Sequence, residues 1–233
     1  MSLRAMGRRV SIVMPVLDES AVLGAALAAL APLAANGAEV IVVDGGSRDE
    51  SRELAARQGC RVVSAPRGRA SQMNAGAQAA SGDALVFLHA DTRLPQDALA
   101  AIAAALERRE WGRFDVTIEG EGALLALVAA MMNLRSRLTG IATGDQAIFV
   151  RREAFERAGG FPAIPLMEDV ALSRALKKVG APACLAQRVT TSGRRWQRHG
   201  TLRTILLMWR LRAAYALGAD PRSLARAYES RPR

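Results

Sequence analysis

The sequence predicts an α/β fold, a mostly parallel sheet flanked by helices and followed by a basic helical extension. Three observations carry this. Short β-branched runs alternate with helical patterns through the first half of the chain, as in βαβ units. Half of the 233 positions are apolar but only 4% are aromatic, so an aliphatic, Ala-rich core with closely approaching helices is expected. The formal charge of +10 is gathered at one end: from Arg188 to Arg233 eleven Arg face only Asp220 and Glu229.

In chain order, strands are expected at 10–15, 40–43, 61–64 and 84–88, where β-branched residues cluster. Between them fall helices at 20–35, 49–58 and 69–80. Gly37, Gly59 and Gly82 follow these or the next elements where a left-handed cap is expected to stop a helix. Pro95 opens a helix to about 109, and 111–119 alternates as an antiparallel or edge strand does. A helix at 123–138, a strand at 147–150, a short helix ending at Gly159 and Gly160, and a helix at 167–179 follow. Beyond Thr190 the basic segment begins. No internal repeat or low-complexity linker interrupts this order, so one domain over 1–196 with a helical extension over 197–233 is expected.

The longest apolar run, 123–132, is ten residues, short of the roughly twenty that cross a bilayer. The stretch 201–217 mixes Ile205, Leu206, Leu207, Trp209, Leu211 and Tyr215 with Arg203, Arg210 and Arg212, a basic amphipathic helix suited to packing on the domain or lying on anionic lipid. The opening MSLRAMGRR has no apolar signal core, so a cytoplasmic protein is expected, with peripheral contact at the inner face of a membrane left open. Cys60 and Cys184 read as reduced, buried thiols, since no CxxC spacing exists.

In an open parallel sheet, ligands bind at the carboxyl ends of the strands. Strand one ends in Pro15, Asp18, Glu19 and Ser20, strand two in Asp44, Gly45 and Gly46, and strand four in His89, Ala90, Asp91 and Thr92. Each acid alone has a bland reading as a cap or turn residue. Three successive strands ending in acids point to one polar edge. Asp44 after a buried run suits hydrogen-bond donors on a base or ribose. Asp91 at a strand end suits Mg²⁺ or Mn²⁺ held against diphosphate oxygens, with water completing the shell. Glu168 and Asp169 open a helix, where the dipole favours negative charge and a general base has a place. Arg194, Arg195 and Trp196 lie in the basic segment, where guanidinium groups suit diphosphate.

Neither GxxxxGK[ST] nor GxGxxG follows a strand, so NTPase and dinucleotide readings lack their main support. Ten aromatic residues without a basic-aromatic array argue against a nucleic-acid partner.

The ordered set PVLDES, VVDGGSRDES, LHADT, GDQAIFVRREAFERAGGF, MEDVALSRAL and SGRRW, from about Val10 to Trp196, resembles the family 2 glycosyltransferases, and most the small single-domain bacterial members. The resemblance implies a GT-A fold, a nucleoside diphosphate sugar (UDP preferred), a divalent metal, Mg or Mn, and inverting hexosyl transfer to a hydroxyl acceptor. It implies donor contacts from Pro15, Asp18, Glu19, Asp44, Arg69, Asn74, His89, Ala90 and Arg195, and metal ligation by Asp91. Asp169 matches the catalytic base. Gly144, Asp145, Gln146, Glu168 and Trp196 match the acceptor side. His89 stands where the family has an acid, and Ser192 or Gly193 where processive members have Gln, so processive synthesis is not implied. A sugar-phosphate nucleotidyltransferase is the nearest rival, but it calls for a Gly-rich, Arg-containing loop and a Lys after strand one, and PVLDES has neither. A non-enzymatic nucleotide- or nucleic-acid-binding module is the rival of another class.

Overall fold

The computed structural model describes residues 9–120 and 122–229, apart from the side chains of Arg195, His199 and Glu229. The segment 1–8, on which the missing signal core was read, lies outside the described residues.

The central strand β1 (Val10–Val16) is almost wholly buried because it has a parallel neighbour on each side and helices on both faces. After α1 (Ser20–Ala35), β2 (Glu39–Asp44) pairs with β1 so that Val16 lies beside Asp44. The helix α2 (Ser51–Arg57) leads to β3 (Arg61–Ser64), which pairs in parallel with β2. The helix α3 (Arg69–Ala79) leads to β4 (Ala84–Phe87), on the other side of β1. Period-two alternation sends Ile12, Met14, Val42 and Val86 to one core with Leu23, Leu27 and Leu30 of α1. It sends Val13, Ile41, Val43 and Phe87 to a second core with Met73 and Ala77 of α3.

Beyond β4 the sheet becomes mixed. A two-residue β5 (Thr92–Arg93) precedes α4 (Ala98–Arg108), β6 (Trp111–Glu119), α5 (Ala123–Thr139), a 3-10 turn at Gly144–Gln146 and β7 (Ile148–Arg151). Then come α6 (Arg152–Arg157), α7 (Glu168–Val179) and β8 (Ala183–Ser192). The strand order is β3-β2-β1-β4-β7-β6-β8-β5, with β7 antiparallel to both β4 and β6.

Four expectations change here. The strand β6 is antiparallel to β7 as foreseen but is no edge, because β8 pairs with it in parallel. Its alternating polar residues are buried against α5 rather than solvated: the Arg113 guanidinium pairs with Asp115, and Arg137 of α5 donates to the second Asp115 oxygen at 2.7 Å. Asn133 of α5 binds the Val116 N–H and C=O at 2.8 and 3.0 Å. Such a network is tolerated in the interior because the Asp115 carboxylate and the Asn133 amide are paired, although Arg113 Nε has no partner among the described residues. The strand β8 was not expected, since Ala183–Ser192 carries no continuous apolar run and is only half-buried. Gly37 and Gly59 are left-handed as expected, whereas Gly82 is not; a β-carbon there would come within 2.7 Å of the Arg9 carbonyl, so close approach is what excludes a side chain. The helix at 95–109 starts at Ala98, after a turn.

The C-terminal segment folds as α8 (Arg194–His199), α9 (Thr201–Ala216) and α10 (Pro221–Glu229). Leu211, Leu224 and Ala225 from it pack on Leu166, Met167 and Val170, so it is held by the region that begins α7. Among the described residues no helix is long and apolar enough to cross a membrane.

Candidate active site

The ends of β1 and β2 are tied together before any ligand is considered. Asp18 adopts φ 54°, uncommon for a residue with a side chain, and its conformation is fixed from both directions. Its N–H donates to Ser47 Oγ at 3.0 Å, and its carboxylate accepts the Arg48 N–H at 2.7 Å. Asp49 accepts from the Ser20 and Ser51 N–H groups at 2.9 and 3.0 Å, and Ser51 Oγ accepts the Glu19 N–H at 2.9 Å. Hydrogen bonds from Ser51 and then from Ser20 hold the Asp49 carboxyl far below the usual carboxylate range. Asp44, buried, accepts the Ser47 N–H at 3.0 Å. Beneath the loops, the buried Gln72 of α3 donates to both the Val16 and Val43 carbonyls at 2.8 Å. Gln72 drew no attention in the sequence because one Gln on a helix carries no pattern.

Next to this edge lies a cleft lined by Asp91 and Asp169. Asp91 sits exposed in the tight turn between β4 and β5, closed by the Thr92 N–H on the His89 carbonyl at 3.0 Å. Burial raises the Glu19 carboxyl, and the Asp91 charge raises it further, which places these two acids near one another. The His89 ring lies against Gly144, where a β-carbon would overlap the imidazole, and its Nδ1 is 3.7 Å from Asp145. Burial opposes the charged ring, but the Asp145 contact, aided by Asp91, outweighs it and raises the His89 pKa. So the residue that replaces the expected acid is coupled to the 3-10 turn at Gly144–Gln146.

On the opposite wall, Met167 takes φ 68° and turns the chain into α7. This aims Asp169 at the 3-10 turn, where its Oδ2 accepts the Gly144 N–H at 2.9 Å and its Oδ1 accepts the Val170 N–H at 2.7 Å. Glu168 is buried beside it, with Arg69 of α3 at 3.5 Å. Burial raises the Glu168 carboxyl, Asp169 adds to that rise, and Arg69 offsets only part of it. Among the described residues three non-glycine positions take positive φ, Asp18, Ala147 and Met167.

The cleft lining brings together His89, Asp91, Arg69, Gly144, Asp145, Glu168, Asp169 and Trp196 of the residues singled out in the sequence. It does not include Pro15, Asp18, Glu19, Asp44, Asn74, Ala90 or Gln146. Ala90 turns into the core, and Gln146 is fully buried, with Oε1 accepting the Thr143 N–H at 3.3 Å. The Asn74 amide is taken up by the Phe161 backbone, 2.8 Å to its C=O and 2.9 Å from its N–H, so it holds the loop ahead of α7. The Arg195 side chain lies outside those described. Residues not foreseen also line the cleft, among them Thr191 and Ser192 of β8 and Met208 and Arg212 of α9. Only Arg212 had a signal, as part of the basic segment.

Acids gathered at the ends of β1, β2 and β4, in a sheet that turns antiparallel beyond them, give an α/β architecture of the GT-A type. The sequence model of the family described as Glycosyl transferase family 2 matches residues 11–125. The matched segment, just under half of the chain, therefore resembles the family 2 glycosyltransferases. An uncharacterized glycosyltransferase of Mycobacterium bovis is 35% identical over 103 residues, 44% of this chain and 45% of the relative. A PGL/p-HBAD biosynthesis glycosyltransferase of Mycobacterium tuberculosis is 36% identical over 108 residues, 43% of this chain and 42% of the relative. The match thus spans less than half the length of these curated relatives.

Among solved structures, glucosyl-3-phosphoglycerate synthase from Mycobacterium tuberculosis, in complex with Mn²⁺, UDP and glucosyl-3-phosphoglycerate, has a TM-score of 0.60 at 22% identity, over 80% of this chain and 72% of that one. The same enzyme with Mn²⁺, UDP-glucose and phosphoglyceric acid gives 0.58 at 24%, over 82% and 72%. These likenesses establish the shared fold.

Proposed function

We propose that the chain is an inverting glycosyltransferase that moves a sugar from a nucleoside diphosphate sugar to an acceptor hydroxyl, with residues 1–196 as the catalytic domain and 197–233 closing its acceptor side. The observation that carries this reading is Asp169, a carboxylate fixed by the Gly144 N–H and opening into the same cleft as Asp91 and Arg69. Fixed acids on two walls of one cleft suit a single displacement between them.

In this reading the base and ribose lie over the edge tied by Asp18, Ser47 and Gln72, with Asp44 accepting from donor groups of the nucleotide. The diphosphate lies toward Asp91 and Arg69, and the Arg69 guanidinium, 45% exposed while reaching Glu168, is available to its oxygens. The solved neighbours in complex with UDP or UDP-glucose support UDP as the nucleotide. Asp169 takes the acceptor proton as the hydroxyl attacks, its carboxylate oriented by the Gly144 and Val170 N–H groups. Attack from the face opposite the leaving group inverts the anomeric centre.

A divalent cation fits the donor set. Asp91 is an exposed oxygen ligand with the Glu19 carboxyl nearby, and Mg²⁺ or Mn²⁺ commonly takes one or two carboxylates and completes its shell from phosphate and water. Among the described residues no group of three or more His, Cys, Asp or Glu converges, which suits a metal held jointly with substrate. When bound, it would offset negative charge on the departing diphosphate.

A peripheral membrane contact is part of the proposal. Leu124, Leu127, Met131, Leu134 and Leu138 form an exposed stripe along α5, and Leu202, Leu206 and Trp209 are exposed on α9, beside Arg203 and Arg210. Apolar helix faces with flanking arginines suit an anionic lipid surface.

The test of the transferase reading is thermal shift with a panel of nucleotide sugars, with and without Mn²⁺. One nucleoside diphosphate sugar should raise Tm in a metal-dependent manner, and Asp91→Asn should abolish the metal-dependent part. Stabilisation that ignores metal and survives Asp91→Asn contradicts the assignment of Asp91.

A further inference from the structure

A second cavity opens behind Asp169, lined chiefly by Arg135 and Thr139 of α5, Val170 and Arg174 of α7, and Arg212 and Tyr215 of α9. It is contiguous with the catalytic cleft, because Arg212 and Val170 line both. Its lining holds three guanidinium groups and no carboxylate. Arg174 lies over the Tyr215 ring at 5.2 Å, which fixes its plane without neutralising it. Arg135 is the unusual member: its Nε and Nη2 are shut off from solvent and have no hydrogen-bond partner among the described residues. Burial, and then the nearby Arg212 charge, push its pKa down to about 10, against the opposing pull of Asp169.

Leaving guanidinium donors buried and unpaired is costly, and crowding a second and third positive charge beside them adds to the cost. The described surface ion pairs involve other arginines; none includes Arg135, Arg174 or Arg212. What relieves such a site is an anion with several acceptor oxygens. Three separate forks exceed what the two oxygens of a single carboxylate can satisfy, whereas a phosphate ester offers three oxygens and a charge of about −1.5 to −2 at neutral pH.

We infer that Arg135, Arg174 and Arg212 form a phosphate-binding subsite for the acceptor, which presents its hydroxyl to Asp169 from a molecule that carries a phosphate group a short distance away. This rests on the transferase reading for the word acceptor. The anion site itself stands on the three arginines. The same phosphate chemistry belongs to water-soluble phosphorylated metabolites and to the headgroups of phosphorylated lipids, and the exposed faces of α5 and α9 adjoin the cavity's elements in either case.

The experiment uses the full chain in three arms. Calorimetric titration with inorganic phosphate should give saturable binding, weakened roughly tenfold in both Arg174→Gln and Arg212→Gln, the loss expected for a charge-assisted hydrogen bond. Arg174 is exposed, so its variant keeps the test meaningful should Arg135→Gln fail to fold. In the second arm, sedimentation with phosphatidylcholine vesicles, with or without phosphatidic acid, separates the sources. Retention that needs phosphatidic acid and is lost in Arg174→Gln assigns the site to a lipid phosphate; phosphate binding without retention assigns it to a soluble phosphorylated acceptor. The third arm titrates a panel of nucleotide sugars with Mn²⁺. Phosphate binding that depends on the arginines, with no nucleotide sugar bound, leaves the anion site standing and removes the transferase reading. Absent phosphate binding, or equal binding in wild type and both variants, overturns the inference whatever the donor does.

Discussion

The two ends of the cleft are built by different means. At the β1–β2 edge, the loops are held by short neutral and acidic side chains bonding to backbone: Asp18 with Ser47 and Arg48, Asp49 with Ser20 and Ser51, and Gln72 beneath. At the α5–α7–α9 end, long arginines and buried carboxylates dominate, and their charges are not fully matched within the chain. The first arrangement gives a rigid surface whose donors and acceptors are mostly satisfied without ligand. The second carries positive charge that only a bound anion neutralises. A donor that is common to a family suits the former, and an acceptor particular to one enzyme suits the latter.

Removing the latch should have the larger effect on the fold. Gln72→Ala withdraws two hydrogen bonds from buried strand-end carbonyls and should cost about 1–3 kcal/mol. Thermal denaturation should show Tm lower by several degrees, with nucleotide affinity reduced as well. An unchanged Tm would mean that the β1–β2 edge is held without Gln72.

A smaller, pH-dependent effect is expected at the α5–α7–α9 end. Burial, with Asp169 second, raises the Glu168 carboxyl above its unfolded value. The stability it contributes is therefore present below the ordinary carboxylate range and lost as pH rises through the folded value. Glu168→Gln, which cannot ionise, should gain stability relative to wild type as pH climbs from acid toward neutral. Parallel Tm-against-pH curves for the two proteins would show that Arg69 neutralises Glu168 after all.

The smallest effect on stability should come from the exposed apolar faces. Leu127→Ser with Leu206→Ser removes two exposed side chains and should leave Tm within about a degree, since surface substitutions of this kind fall within roughly 0.5 kcal/mol. The same pair should cut binding to anionic vesicles severalfold. Full retention on vesicles by this variant would exclude those faces as the contact.

This contrast also explains what could be read in advance. The strands and helices from β1 to β4, and the acids at their ends, follow from local signals: β-branched runs bounded by glycines, and carboxylates directly after them. Asp91 and Asp169 were singled out because each stands at the boundary of a regular element. The α5–α7–α9 end was less legible because its meaning lies in partners distant in sequence. Arg113 and Asp115 lie in a stretch read only as an alternating antiparallel or edge strand, and the α5 residues that pair with them are distant in sequence; β8 lacks an apolar run because half of it faces outward. Arg135 and Arg174 resemble any surface arginine in the sequence, and become a site only where α5, α7 and α9 meet. The departure at His89 was visible, but its attachment to Gly144 and Asp145 was not.

The central claim is that Asp169 performs the chemistry in a cleft whose donor half is built independently of it. The most direct measurement is kcat for sugar transfer, alongside the Kd for the nucleotide sugar, in wild type and Asp169→Asn. Loss of the base should lower kcat by about 10²–10⁴-fold while the Kd changes less than about threefold. Transfer at a near wild-type rate in Asp169→Asn would contradict the account.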